Sequence, residues 1–81
     1  MNINQSKPKV EILLAKVYEK YKHSFNDEDK ESCEMYLYEQ GEYEEALSML
    51  LAALQYNEIS IDHESRDTIN EVCQLIGIDR G

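Results

Sequence analysis

The side chains best suited to chemistry in this 81-residue chain are its carboxylates, two cysteines and two histidines. Cys33 and Cys73 stand far apart and have no histidine at zinc-ligand spacing, so buried apolar roles are predicted, with a disulfide or a reactive thiol as the alternative. His23 and His63 have no serine or cysteine at a catalytic spacing, which favours surface or capping roles. The sequence therefore predicts no catalytic residue, no cofactor and no metal site, and so no enzyme.

The carboxylates are concentrated between Asp27 and Glu45, where nine acidic residues accompany a single lysine. The segment NDEDKE is similar to a calcium-binding loop, but it lacks the glycine and the final glutamate that such a loop requires. The local charge of −8 is almost the whole formal net charge of −9. A surface of this sign repels nucleic acid and anionic lipid, so the expected partner is a basic or neutral protein.

Two interpretations of this acidic stretch stay open. One is a solvated face that keeps the protein soluble. The other is a protein-binding site, because a regular helix places Met35 and Tyr38 among the carboxylates and away from the core, unless another helix covers them. The predicted partner-binding residues are Glu28, Glu31, Glu34, Met35, Tyr38, Glu39, Glu42 and Glu45.

The spacing of apolar residues predicts four helices and no sheet. Helix one starts with Pro8 in its first helical position, after a cap at Ser6, and runs to about Lys22 with a basic outward side. Helix two begins after the cap residue Asn26 and stops at Gly41. Its predicted core side comprises Cys33, Tyr36, Leu37 and Gln40.

The second half of the chain continues this helical pattern. Helix three is predicted from Tyr43 to about Asn57, folding back on helix two. After an extended connector, Ser60 or Asp62 caps helix four, which Gly77 ends. The predicted fold class is all-α, either a small four-helix bundle or stacked helical hairpins.

The length of the chain predicts a single domain over residues 1–81, with a flexible segment at 1–6. No apolar run approaches the roughly 18 residues that span a bilayer, and the N-terminal residues lack the layout of a secretion signal. We therefore expect a cytoplasmic location and no membrane partner.

Four segments carry a resemblance to a known family: NDED at 26–29, YEQGEYEEAL at 38–47, NEISI at 57–61 and INEVCQLIGI at 69–78. In this layout, residues 25–79 resemble the small helical immunity proteins of bacterial contact-dependent inhibition and polymorphic-toxin systems, in particular the Maf-type immunity family. The resemblance implies a non-catalytic protein that binds the toxic C-terminal domain of a cognate effector, often a ribonuclease, and blocks its active site. It assigns no binding residue position by position.

Two other interpretations use the same residues. The segment QGEYEEAL at 40–47 is also similar to the turn and second-helix start of a tetratricopeptide repeat. A second copy and the closing proline are absent, which excludes a repeat array and leaves a single helical adaptor for a peptide or a basic protein. A small regulatory or DNA-mimic protein is the third class. The toxin activity, any role of helix one at the interface and the oligomeric state stay open.

Overall fold

The computed structural model describes residues 8–77, which contain four α-helices and no strand. These are α1 (Lys9–Tyr21), α2 (Asp27–Glu34), α3 (Tyr43–Tyr56) and α4 (His63–Ile76). A 3₁₀ turn, Lys22–Ser24, follows α1, and a π-helical turn, Met35–Glu39, continues α2. The all-α prediction is confirmed. The predicted flexible segment 1–6 and the cap at Ser6 lie outside the described residues.

The helices pack as two pairs around one core. α1 lies along α4, α2 packs against α3, and α1 also contacts α3 and the π turn. Ion pairs from Lys9 to Glu71 and from Lys16 to Glu64 show that α1 and α4 are antiparallel. The buried apolar core comprises Leu14, Val17, Tyr18, Phe25, Cys33, Leu37, Ala46, Leu47, Leu50, Ala53, Leu54, Ile69, Val72 and Cys73.

Both cysteines belong to this core as unpaired thiols, which confirms their predicted burial. Burial raises the pKa of the Cys33 thiol to about 11, so that side chain stays protonated at neutral pH. Among residues 8–77, no helix combines the length and apolarity needed to cross a bilayer.

The helix ends follow local capping rules. The Asn26 side chain accepts a hydrogen bond from the Asp29 backbone N–H at 2.8 Å, and the Asp62 side chain likewise caps α4 by accepting from the Ser65 N–H. Gly77 ends α4 with a φ of 90°, a conformation that glycine adopts without steric cost. These predicted boundaries are confirmed, with Asp62 rather than Ser60 as the second cap.

The start of α1 differs from the prediction by one residue. Pro8 has an extended ψ of 145° and is the cap residue, so the helix begins at Lys9. The Pro8 carbonyl still accepts a hydrogen bond from the Ile12 N–H at 3.2 Å. The proline therefore supplies the first helical acceptor without being inside the helix.

The end of helix two differs more, because the predicted single α-helix changes to a π turn after Glu34. The Gln40 N–H donates to the Met35 carbonyl at 2.9 Å, a spacing of five residues instead of four. The wider turn changes the angle of each later side chain around the axis. Leu37 still reaches the core, whereas Gln40 is exposed, contrary to its predicted place on the core side.

The cap of α2 can be tested by Asn26→Ala. We expect a loss of about 1 kcal/mol in the free energy of unfolding, because the Asp29 N–H loses its acceptor. Urea unfolding followed by circular dichroism measures this change. Asn70→Ala, at an exposed position inside α4, is the control and should not destabilise the protein. Equal stability of Asn26→Ala and the unmodified chain would contradict a capping role.

Candidate partner-binding surface

The predicted site residues lie on α2, its π turn and the start of α3. Glu28, Glu31 and Glu34 are all exposed, and their three-residue spacing places them along one side of α2. Further exposed carboxylates continue past the π turn into α3. We call this set the acidic face: Glu28, Glu31, Glu34, Glu39, Glu42, Glu44 and Glu45.

The lysines of α1 do not neutralise the acidic face. Those in contact with α4 form the ion pairs Lys9–Glu71, Lys16–Glu64 and Lys20–Asp62. Lys22, in the 3₁₀ turn that follows α1, pairs with Glu19 of α1 at 2.7 Å. Among residues 8–77, none of the acidic-face carboxylates forms an ion pair. The contact of Lys30 with the fully exposed Asp27, at 3.6 Å, is a surface pair of little strength.

Tyr38 and Glu34 are held by α1 at one edge of this face. The Tyr18 hydroxyl donates to Glu34 Oε2 at 2.6 Å, and the Tyr38 hydroxyl donates to Glu19 Oε2 at 2.9 Å. The Tyr38 ring lies edge-on to the Tyr18 ring, 6.3 Å between centroids, and the residue is 40% exposed. Tyr38 is thus only partly exposed, in keeping with the alternative that another helix covers it. Met35 is half-buried rather than fully exposed.

The phenols at this edge have raised pKa values. Burial, and then the hydrogen bond to Glu34, raise the pKa of Tyr18 well above its usual range. Burial and a hydrogen bond to an α1 carboxylate do the same for Tyr38. On α3, the Tyr43 hydroxyl donates to Glu11 Oε1 at 2.6 Å, and this bond raises the pKa of Tyr43. Each phenol must stay protonated to keep its hydrogen bond between α1 and the segment formed by α2, the π turn and α3.

This arrangement predicts a loss of stability at alkaline pH. Tyrosines of the unfolded chain lose their protons near pH 10, while Tyr18, Tyr38 and Tyr43 keep theirs in the folded protein. The unfolded state then binds fewer protons, so the free energy of unfolding falls as the pH rises above about 10. Urea unfolding at stepped pH, together with tyrosinate absorbance, measures the effect.

The control for the alkaline loss is a phenol with the opposite environment. Tyr18→Phe should reduce the loss, whereas Tyr56→Phe, at a residue 77% exposed, should leave it unchanged. Simultaneous ionisation of all six tyrosines before any unfolding would contradict the prediction.

An open cleft of about 510 Å³ lies at the other edge of α2, against the end of α3. Its lining residues are Asn26, Glu28, Asp29, Ala52, Ala53, Gln55 and Tyr56. Asn57 links the end of α3 to α2 here, since its side-chain amide donates to Asp29 Oδ2 at 3.0 Å. Sequence reasoning missed the cleft. The available signal was the position of Tyr56 outside the apolar stripe of α3.

In the described part of the chain, no group of three or more His, Cys, Asp or Glu side chains is placed to hold a metal ion. Comparison of the chain with protein-family models, with curated proteins and with solved structures gives no match. Function is therefore inferred from the chemistry of the described surface.

Proposed function

We propose that this protein is a non-catalytic immunity protein. It binds and neutralises the C-terminal toxin domain, a ribonuclease, of a contact-dependent inhibition effector. The observation that carries the proposal is the acidic face, whose carboxylates are exposed and, among residues 8–77, lack ion-pair partners. Such a surface attracts a positively charged protein and speeds its association.

The chemistry of the partner follows from what a ribonuclease must do. It holds an RNA backbone, with one negative charge per nucleotide, in a positively charged cleft. Carboxylates spaced along α2 and the start of α3 offer that cleft a substitute for phosphate. The rest of the chain, outside residues 27–45, has a formal net charge of only −1. Most of the net negative charge therefore lies on α2, the π turn and the start of α3.

The alternative of a single tetratricopeptide-like adaptor uses the same α2–α3 hairpin. Its turn contains Gly41 at a φ of 63°, as a tight connection between helices requires. However, the π turn interrupts the first helix of the hairpin, and α1 packs against both α3 and the π turn. An adaptor is therefore the second choice, and it predicts binding to a peptide with no effect on a toxin.

The test begins with the reading frame directly upstream, where we expect a large secreted protein with a variable C-terminal domain. Expression of that domain alone should arrest growth, and coexpression with this chain should restore it. The purified domain should degrade RNA. It should lose that activity when the two proteins are mixed at a 1:1 ratio, because each is expected to carry one binding site for the other. Persistent arrest in the presence of soluble chain, or failure of the two proteins to copurify, would reject the proposal.

A further inference from the structure

The cleft between the start of α2 and the end of α3 combines carboxylates with apolar and aromatic side chains, whereas the acidic face consists of carboxylates alone. The small side chains of Ala52 and Ala53 leave space against α2, and Tyr56 beside them is 77% exposed. Glu28 and Asp29 border the same space from α2. An exposed aromatic ring, the small side chain of Ala52 and carboxylates together resemble the pocket of an interface, where one side chain of the partner is enclosed.

The charge at this cleft selects a cation. A helix N-terminus usually attracts anions, because it carries about half a positive charge and unpaired N–H groups. Here the Asn26 side chain already accepts the hydrogen bond of the Asp29 N–H. The first turn of α2 also contains the carboxylates of Asp27, Glu28 and Asp29. Their charge outweighs the helix end, so an anionic ligand is repelled.

Among cationic side chains, arginine matches the lining best. Its planar guanidinium stacks on an aromatic ring and forms a bidentate ion pair with a carboxylate, whereas the lysine ammonium does neither as well. Asp29 already accepts the Asn57 amide with one oxygen, whereas Glu28 forms no side-chain hydrogen bond or ion pair within residues 8–77, so Glu28 is the better acceptor for a ligand. The cleft volume of about 510 Å³ admits an arginine side chain with part of the segment that carries it.

We propose that this cleft receives an arginine side chain of the basic partner, with Glu28 as its ion-pair acceptor and Tyr56 as its stacking surface. The proposal rests on the proposed function for the identity of the partner as a basic protein. It adds the recognition of one residue type at one place, at the α3 edge of the acidic face.

The test needs no partner protein. N-acetyl-arginine methylamide is titrated into the ¹⁵N-labelled full chain, and amide chemical shifts are followed. We expect shifts at Ala52, Ala53 and Tyr56 and a dissociation constant of about a millimolar. The neutral citrulline derivative, which keeps the shape and loses the charge, should bind about tenfold more weakly or not at all. The lysine derivative should also bind more weakly than the arginine derivative.

Two variants locate the contact. Tyr56→Ala and Glu28→Gln should each weaken binding of the arginine derivative about fivefold or more. The matched controls are Leu75→Ala, another exposed apolar side chain, and Glu44→Gln, another exposed carboxylate. Neither control should change the binding. Unchanged urea midpoints would show that Tyr56→Ala keeps its fold, as expected for a residue 77% exposed.

Equal binding of the citrulline or lysine derivative would overturn the proposal, and so would an equal loss in Glu44→Gln and Glu28→Gln. Its failure is distinguishable from failure of the proposed function. Arginine binding without rescue from a toxin retains the cleft and rejects the immunity role. Rescue without arginine binding retains the immunity role and rejects the cleft.

Discussion

Reversing three charges of the acidic face, with Glu31→Lys, Glu42→Lys and Glu45→Lys, should weaken binding of the toxin domain about a hundredfold or more. All three side chains are exposed, so the substitutions leave the core intact. Each replaces an attraction for the positive cleft with a repulsion. Association kinetics measured on a surface with immobilised toxin domain should show a slower on-rate and a weaker dependence of that rate on salt.

The control separates the position of the charges from the net charge. The neutralised variant Glu31→Gln, Glu42→Gln, Glu45→Gln and the distant variant Ser60→Lys, Asn70→Lys, Gln74→Lys each raise the net charge by three. Only the first should weaken the complex substantially, because Ser60, Asn70 and Gln74 are exposed outside the acidic face. Equal affinity of the two variants would show that the acidic face is only a solvated surface.

Leu37→Ala should reduce the free energy of unfolding by about 2 to 5 kcal/mol. Leu37 is 2% exposed and is the buried residue of the π turn, so its truncation leaves a cavity where that turn meets the core. The loss is a large share of the 5 to 15 kcal/mol that is typical of small domains. Urea unfolding and the shift in Tm measure it.

Leu75→Ala is the control for this substitution, because Leu75 is 49% exposed on α4. It should cost well under about 1 kcal/mol. Equal losses for the two leucines would contradict the assignment of Leu37 as an anchor of the π turn.

Local chemistry explains why much of the fold was predictable from sequence. The Asn26 and Asp62 caps, the boundaries of α3 and the end of α4 at Gly77 depend on residues within a turn of each other. Capping and periodicity report such short-range preferences directly. For the same reason, the exposure of Glu31 followed from its position opposite Cys33 on α2.

The π turn was not predictable, because no residue type specifies it. It depends on how the Met35–Glu39 segment fits between α1 and α3, which is a tertiary effect. Rotation at a constant angle per residue therefore misplaced Gln40. The partial cover of Tyr38 by another helix stayed an open alternative for a related reason, since its hydrogen bond to α1 spans nineteen residues.

The candidate site was predictable in charge but not in shape. The carboxylate positions are evident in the sequence, and their exposure follows from periodicity. The cleft depends on how Tyr56 and Ala52 on α3 lie against Glu28 on α2, which no single-helix pattern contains. The choice of α4 as the ion-pair partner of α1 is likewise a result of topology.

The pairing of α1 with α4 has a consequence for motion in solution. Positive charge is matched on that side, while negative charge on the hairpin side stays uncompensated, so the centre of charge is displaced from the centre of mass. In the field of a cationic protein, such a molecule experiences a torque that turns its α2 side forward while it still tumbles freely. A larger fraction of the encounters between the two proteins then begins with the acidic face toward the partner.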